Sequence, residues 1–283
     1  MVKEINLIVC INDKYVYPCV NMLISIRNST LEKIKVFVLT TSLSYKKELF
    51  LKKMLSKYHF DVFIIRTAIK DFPSNAHFSV DMYLRLFAFD LLPNIDKALY
   101  LDADIIVNMD IRKLFNINID NKLVAAVEDY GVAFDYKENS NYWIKKNRTY
   151  LNSGVILFNL DLFRKKINKK TIVDTIVQYK NKLLYPDQDV LNLILSDDDF
   201  LVLDECFNNQ ISIKRRKINV ENSIVHYTGN WKPWNHLIKK KHERLYWNNL
   251  YKYHLYKIAL FDCWNCFFYP LKKAIDKVFK MKK

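Results

Sequence analysis

The chain has 283 residues, 51% of them hydrophobic, and a formal net charge of +15. That size and apolar content support a substantial core, in one large α/β domain or two smaller ones, and exclude a disordered chain. The positive balance points to acidic partners (nucleic acid, anionic lipid or phosphorylated substrates), and its placement must decide among them. Five cysteines, Cys10, Cys19, Cys206, Cys263 and Cys266, are odd in number and lack the spacing of a disulfide scaffold, which favours reduced thiols in a reducing compartment. Cys263-x-x-Cys266 has no second pair at zinc spacing. An apolar run begins at Ile5 with no signal-peptide pattern before it, and no run reaches the ~18 residues expected of a spanning helix.

Ile5 to Ile11 reads as a central strand, broken by Asn12-Asp13-Lys14-Tyr15. A helix is predicted from Tyr17 to Asn28, with Pro18 in a first turn that tolerates it. Strand Lys35–Thr40, amphipathic helix Ser44–Lys57 and strand Asp61–Arg66 follow. This alternation predicts a mixed, mostly parallel sheet flanked by helices. No G-x-G-x-x-G follows the first strand and no Walker A sequence occurs. Ser79 to Leu92 reads as a helix closed by Pro93. Arg85 within it is either a snorkelling surface arginine or a phosphate or sugar contact.

Ala98 to Val107 reads as a buried strand interrupted by Asp102-Ala103-Asp104. On an extended backbone the i, i+2 spacing points both carboxylates to one side. Buried carboxylates are costly unless paired or metal-bound, and oxygen donors suit Mg²⁺ or Mn²⁺. The alternative is a strand-end turn in which the aspartates only cap the next segment. Leu123–Val127 is a further strand, ending at Glu128-Asp129. After a polar loop at 130–149, a tight Asn152-Ser153-Gly154 turn precedes the next strand, where glycine signals close backbone approach or positive φ. A basic-faced helix is predicted from Asp161 to Lys180, and another begins at Asp187-Gln188-Asp189. Acids suit a helix N-terminus, so Asp187 reads as a cap or as a functional carboxylate. Ile224 to Trp234 delivers His226, Gly229 and Lys232 from an apolar strand. His226 is a core histidine or a nitrogen ligand of the kind that favours Mn²⁺. From Lys252 to Lys283 the chain interleaves eight lysines with aromatics, a pattern suited to an anionic membrane surface or to single-stranded nucleic acid.

Taken in order, Asp102-x-Asp104, Asn152-Ser153-Gly154, Asp187-Gln188 and His226-x-x-Gly229-x-x-Lys232-Pro233-Trp234 resemble glycosyltransferase family 8 over roughly residues 3–250. The resemblance implies a GT-A catalytic domain at 1–250, a UDP-sugar donor, Mn²⁺ (or Mg²⁺) and transfer with retention of configuration. It implies Asp102, Asp104 and His226 as metal ligands, and Gly229 and Lys232 as the diphosphate turn. Arg85 and Ala103 become donor contacts, while Asp129, Asn152, Asp187 and Gln188 line the donor sugar and reaction centre. Tyr15 matches an aromatic that stacks on uracil. Asn12 and Lys14 stand where the bacterial galactosyltransferases commonly carry Asp and Asn. The expected acceptor is a lipooligosaccharide, lipopolysaccharide or other cell-surface glycan, and no nucleic acid is expected. Residues 251–283 then form a basic, aromatic membrane-association segment holding a bacterial enzyme peripherally at the cytoplasmic face of the inner membrane. The rival readings are an inverting GT-A enzyme, a nucleotidyltransferase, and a non-catalytic basic protein binding lipid or nucleic acid.

Overall fold

In the computed structural model, residues 4–68, 80–132, 148–211, 220–235, 241–255 and 258 are described. The first half alternates strand and helix: β1 (Glu4–Cys10), α1 (Val16–Ile26), β2 (Lys33–Thr40), α2 (Tyr45–Ser56) and β3 (Phe60–Arg66). A 3₁₀ segment, Val80–Phe87, runs into the single turn α3 (Ala88–Leu91). Next come β4 (Lys97–Leu101), β5 (Ile105–Asn108), α4 (Arg112–Phe115), β6 (Val124–Glu128) and β7 (Leu151–Asn159). Helices α5 (Leu160–Lys166), α6 (Lys169–Tyr179) and α7 (Pro186–Ile194) precede β8 (Phe200–Val202), β9 (Asn209–Gln210), β10 (Ser223–His226) and α8 (Lys241–Lys252).

The large sheet has the order β3-β2-β1-β4-β7-β6-β8. It is parallel through β3, β2, β1 and β4, then antiparallel across β4/β7/β6. Apolar residues alternate between its faces as the two-residue period requires. Leu7, Val9, Leu99 and Leu101 join one core, with α1, β5 and β10, while Ile8, Ala98 and Tyr100 join the other. A small sheet, β5-β10-β9, forms a second layer. Helix α1 lies in the first core, and every residue of it except Tyr17 is buried, as expected of a helix that is apolar all round. Its polar residues are satisfied internally: Val107 N–H donates to Ser25 Oγ (2.9 Å), and Asn249 Nδ2 donates to Asn21 Oδ1 (2.8 Å).

The order 2-1-4 makes the carboxyl ends of β1 and β4 a switch point, because β1 leads away to β2 while β4 lies on its other side. Open α/β sheets bind ligands at such a crevice. The loop Asn12–Tyr15 and the Asp102–Asp104 link both emerge there.

Three local expectations are corrected. The helix expected from Asp161 to Lys180 is two helices. Ile167 is extended and buried, and Asn168 caps α6 by accepting from Thr171 N–H at 2.8 Å. The helix expected over Ser79–Leu92 is mostly 3₁₀, with Asp81 turned inward to accept from Thr41 N–H (2.7 Å) and Arg85 Nε turned back to Met82 O (3.0 Å). Asn152-Ser153-Gly154 is no turn but part of β7. The Asn152 side chain accepts from Gly154 N–H (2.9 Å), which gives a turn-like local sequence to a continuing strand.

Helix α8 spans the compositional division at 250/251, and Leu255 and Ile258 beyond it are buried in the first core. Residues 256, 257 and 259–283 of the basic tail lie outside the described residues. The lysines of α5 and α6 are largely paired, Lys165 with Asp161, Lys166 with Asp199, Lys169 with Asp90 and Lys170 with Asp174. Among the described residues no helix is long and apolar enough to cross a membrane.

Candidate active site

The site is built where three strands end. β4 stops at Leu101, and Asp102 N–H makes one further bond, to Gly154 O of β7 at 2.8 Å. Asp102-Ala103-Asp104 then carries the chain from the large sheet into β5 of the small one. β10 runs antiparallel to β5 with His226 opposite Ile105, and Tyr227 N–H donates to Asp104 O at 3.0 Å. Consequently one donor atom from each of Asp102, Asp104 and His226 lies within 4.8 Å of the others. His226 Nε2 stands 3.3 Å from Asp104 Oδ1 and 3.7 Å from Asp102 Oδ2.

Gly154 faces this cluster. A Cβ there would lie 2.2 Å from His226 Cε1 and 2.9 Å from Asp102 Oδ2, so the position requires a residue without a side chain. Gly229 is glycine for the other reason: its φ of +73° is left-handed, with open space around it. The turn it makes delivers Lys232, whose ammonium pairs with Asp104 Oδ2 and donates to Tyr227 O at 2.6 Å. Burial opposes ionisation of Asp104, but the neighbouring Lys232 ammonium is the main opposing influence and holds the carboxyl well below its ordinary value.

Arg85 is not a surface arginine. It is buried, and it braces the two halves of the site. Its Nη2 lies 3.0 Å from Asp102 Oδ1, its Nε lies 3.1 Å from Asp187 Oδ2, and its Nη1 donates to Ser153 O at 2.8 Å. The guanidinium also stands over the Tyr100 ring at 4.3 Å. Burial would lower its pKa, yet Asp102 and Asp187 hold it well above the ordinary value. Asp187 is not the cap of α7. Pro186 and Asp187 follow Tyr185, and the Asp187 carboxylate faces Arg85 and Ser153 Oγ (3.1 Å). Burial pushes its pKa up, against the opposing charge of Arg85.

On the far side, Asp129 Oδ2 accepts from Asn152 Nδ2 (2.8 Å) and Gln188 Nε2 (3.0 Å), while its Oδ1 accepts from Val132 N–H (2.9 Å). Gln188 Oε1 accepts from Ser153 N–H at 3.0 Å. At the mouth of β1, Asn12 accepts from Lys14 N–H (3.0 Å), and Asp13 takes Ser44 N–H (2.8 Å), tying the loop to α2. Tyr15 is 37% exposed, and its phenol is pushed up to about 12 by burial, with Asp104 and Asp102 adding to the effect. Ala103 is buried between the two acids.

The structure therefore gathers Arg85, Asp102, Asp104, Asp129, Asn152, Asp187, Gln188, His226 and Lys232 into one connected set. Tyr15 lies within electrostatic reach of the acids, while Asn12 and Lys14 shape the entrance loop. Three further contributors carried no role from sequence. Tyr100 Oη donates to Asp102 Oδ1 at 2.5 Å, Ser153 joins Arg85 to Asp187, and Asn208 contacts His226 Nδ1 at 2.9 Å. Tyr100 was findable, since it lies on β4 two residues before Asp102. Asn208, in the turn Glu205–Asn208, had no motif to announce it.

The donor set fits a divalent cation. It offers two carboxylates and one imidazole, a mix suited to Mn²⁺. Three carboxylates (Asp102, Asp104 and Asp187) are paired with two fixed cations (Arg85 and Lys232), an excess of negative charge that suits a bound cation.

A mixed, mainly parallel sheet flanked by helices, with paired aspartates at the switch point, defines a GT-A transferase fold. The family model for glycosyl transferase family 8 matches residues 6–237, and the chain belongs to that family. It is 30% identical over 174 residues to the lipopolysaccharide 1,2-glucosyltransferase of Escherichia coli K12, covering 57% of this chain and 51% of the relative. It is 30% identical over 188 residues to the lipopolysaccharide 1,3-galactosyltransferase of Salmonella typhimurium, covering 59% and 52%. The chain thus spans about half the length of these curated relatives. The galactosyltransferase LgtC, solved with donor and acceptor sugar analogs, superposes with a TM-score of 0.77 at 22% identity, covering 87% of this chain and 95% of that one. At that identity the likeness speaks to the fold.

Proposed function

We propose that this chain transfers a hexose, galactose or glucose, from a UDP-sugar to a glycan acceptor with retention of anomeric configuration. The observation that carries the reading is the convergence of Asp102, Asp104 and His226 within 4.8 Å beside Lys232. These three residues would hold Mn²⁺, with Mg²⁺ the alternative. When bound, the cation supplies Lewis-acid stabilisation of a leaving diphosphate. Lys232 and the Gly229 turn receive the diphosphate, Lys232 adding positive charge where negative charge develops. Asn12, Lys14 and Tyr15 hold the nucleoside. Arg85 keeps Asp102 and Asp187 in register, and Asp129, Asn152, Asp187 and Gln188 orient the donor sugar.

Retention follows best by a front-face route. The bond from the sugar C1 to the UDP oxygen breaks, and the acceptor oxygen bonds to C1 on the same face. The acceptor proton passes to the leaving diphosphate. The side chains support this route. Gln188 is an amide bonded at both ends, Asp129 has both oxygens engaged, and Asp187 Oδ2 is held by Arg85 and Ser153. A glycosyl adduct trapped on Asp187 would overturn this step.

The lipopolysaccharide relatives support a cell-surface glycan as acceptor, and the basic aromatic residues of the tail support peripheral attachment to the cytoplasmic face of the inner membrane. The test is hydrolysis of UDP-Gal, UDP-Glc, UDP-GlcNAc and UDP-GalNAc with Mn²⁺, with EDTA, and in Asp104→Ala. One hexose should turn over only with metal and only with Asp104 intact. Activity unaffected by either change would refute the reading, and product of inverted anomeric configuration would refute retention.

A further inference from the structure

Asn208 lies where the metal cluster meets the sugar side of the site, and the polarity of its bonds can be deduced. The starting point is two backbone donors, which cannot be mistaken for acceptors. Gly154 N–H points at Asn152 and Ser153 N–H points at Gln188, so each side chain must present its carbonyl oxygen there (2.9 Å and 3.0 Å). Their amide nitrogens then face Asp129, which as a carboxylate only accepts. Asn152 Oδ1 also contacts Asn208 at 2.8 Å, so Asn208 must present its NH₂ group to Asn152. Its carbonyl oxygen is therefore the atom 2.9 Å from His226 Nδ1. For that contact to be a hydrogen bond, Nδ1 must carry the proton. In a neutral imidazole, Nε2 is then the lone-pair nitrogen, and Nε2 is the atom facing Asp104 and Asp102.

We infer that Asn208 is a positioning residue that sets the tautomer and ring orientation of His226 for metal binding and, through Asn152, ties that ligand to Asp129 and Gln188. Its place in the fold suits the role. It is fully buried, and β9, which it introduces, pairs in parallel with β10 so that Asn209 stands opposite Val225. A partner on the second ring nitrogen commonly fixes a ligating histidine, and its loss typically costs 10–100-fold in metal affinity or activity.

This inference rests on the metal site proposed above, and the two separate experimentally. Mn²⁺ binding to the full chain is measured from the free Mn²⁺ electron paramagnetic resonance signal for wild type, His226→Ala, Asn208→Ala and Asn208→Asp. Unfolding midpoints are measured in parallel. Asn208→Ala should weaken Mn²⁺ binding about 10–100-fold. Asn208→Asp keeps an acceptor for Nδ1–H but sets an oxygen against Asn152 Oδ1. It should hold Mn²⁺ within about threefold of wild type while kcat for UDP-sugar hydrolysis falls at least tenfold. If His226→Ala loses Mn²⁺ and Asn208→Ala does not, the role of Asn208 is overturned and the metal site stands. If His226→Ala binds as wild type does, both are overturned. Asn208→Asp binding Mn²⁺ as weakly as Asn208→Ala overturns the tautomer argument, and full turnover in Asn208→Asp overturns the link to Asn152. Asn208→Asp is nearly isosteric, so it still decides the matter if Asn208→Ala fails to fold.

Discussion

The chain has three glycines, and they give a sharp test of how the candidate metal site is built. In Gly154→Ala the new Cβ would sit 2.2 Å from His226 Cε1, where ordinary contact begins near 3.4 Å. The ring must retreat by roughly 1 Å, because close-packed interiors cannot absorb such an overlap. It cannot do so freely. Nδ1 is bonded to Asn208, and the backbone of Gly154 itself carries the bond from Asp102 N–H. Losing the Nδ1 bond costs about 1–3 kcal/mol, and ligand distances tolerate only about 0.2 Å. A loss of about 2 kcal/mol corresponds to roughly 30-fold in affinity. The assay is Mn²⁺ titration with thermal melts in parallel, and overpacking should itself destabilise by about 1–3 kcal/mol. Gly229→Ala meets nothing within 4 Å but strains a φ of +73°, so it should lose about 1–2 kcal/mol of stability and keep its affinity for Mn²⁺ alone. Gly131→Ala approaches Asp129 Oδ1 at 3.2 Å and should leave Mn²⁺ binding intact. Wild-type Mn²⁺ affinity in Gly154→Ala, or equal losses in all three variants, would refute the reasoning.

Arg85→Lys keeps the charge but cannot reach Asp102, Asp187 and Ser153 together, so urea unfolding should show a loss on the order of 3 kcal/mol, with hydrolysis falling as well. Asp187 has a folded pKa above its ordinary value of 3.8, so its contribution to stability is greatest below that value and declines as pH rises through the interval above it. Asp187→Asn should therefore gain on wild type in unfolding free energy as pH rises above about 4 while losing turnover, and a gap that is constant with pH would contradict this. Deleting residues 260–283, which spares the buried Leu255 and Ile258, should abolish binding to anionic vesicles and preserve Mn²⁺-dependent hydrolysis of the UDP-sugar. Cutting at 251 should also destabilise the domain, since each of those two side chains is worth about 1.5–3 kcal/mol of burial. EDTA should abolish turnover and leave the far-ultraviolet circular dichroism spectrum unchanged, with Mn²⁺ restoring activity without a refolding step.

The sheet was legible in the sequence because its central strands are largely buried on both faces and read as nearly continuous apolar runs, as Ile5–Ile11 does apart from Asn6. The candidate metal cluster was legible because two acids and a histidine are conspicuous at the ends of such runs. Less visible was anything set by a side chain bonding to its own neighbourhood. Asn152 accepting from Gly154 N–H looks like a turn but lies within a strand, and Asn168 splits a helix whose periodicity runs straight through it. Arg85 was ambiguous for a similar reason. Its surroundings along the chain are apolar, which suits a snorkelling arginine equally well, and its partners Asp102 and Asp187 come from β4's end and α7. Asn208 was invisible because an asparagine in a short polar turn has no pattern. Its meaning comes from what β9 and β10 place beside it.

What holds the three candidate ligands together is backbone pairing. Asp102 is fixed by its N–H to Gly154 O, Asp104 by its carbonyl to Tyr227 N–H, and His226 by its register opposite Ile105. The side chains are then oriented by Tyr100 and Arg85 on Asp102, Lys232 on Asp104, and Asn208 on His226. A site assembled this way differs in kind from small metal-folded domains, where binding free energy is folding free energy. Here the backbone pairing of the two sheets already orders the candidate ligands, so binding of a cation would reorganise little. The Lys232–Asp104 pair is the exception within that rigid frame. Lys232 follows a left-handed glycine turn and holds Asp104 Oδ2 directly, so under the proposed function a cation held by Asp104 and a diphosphate received by Lys232 would each replace one partner of this pair. Such an exchange would keep every charge compensated, which would make Lys232 the group best placed to couple donor arrival to completion of the proposed metal site.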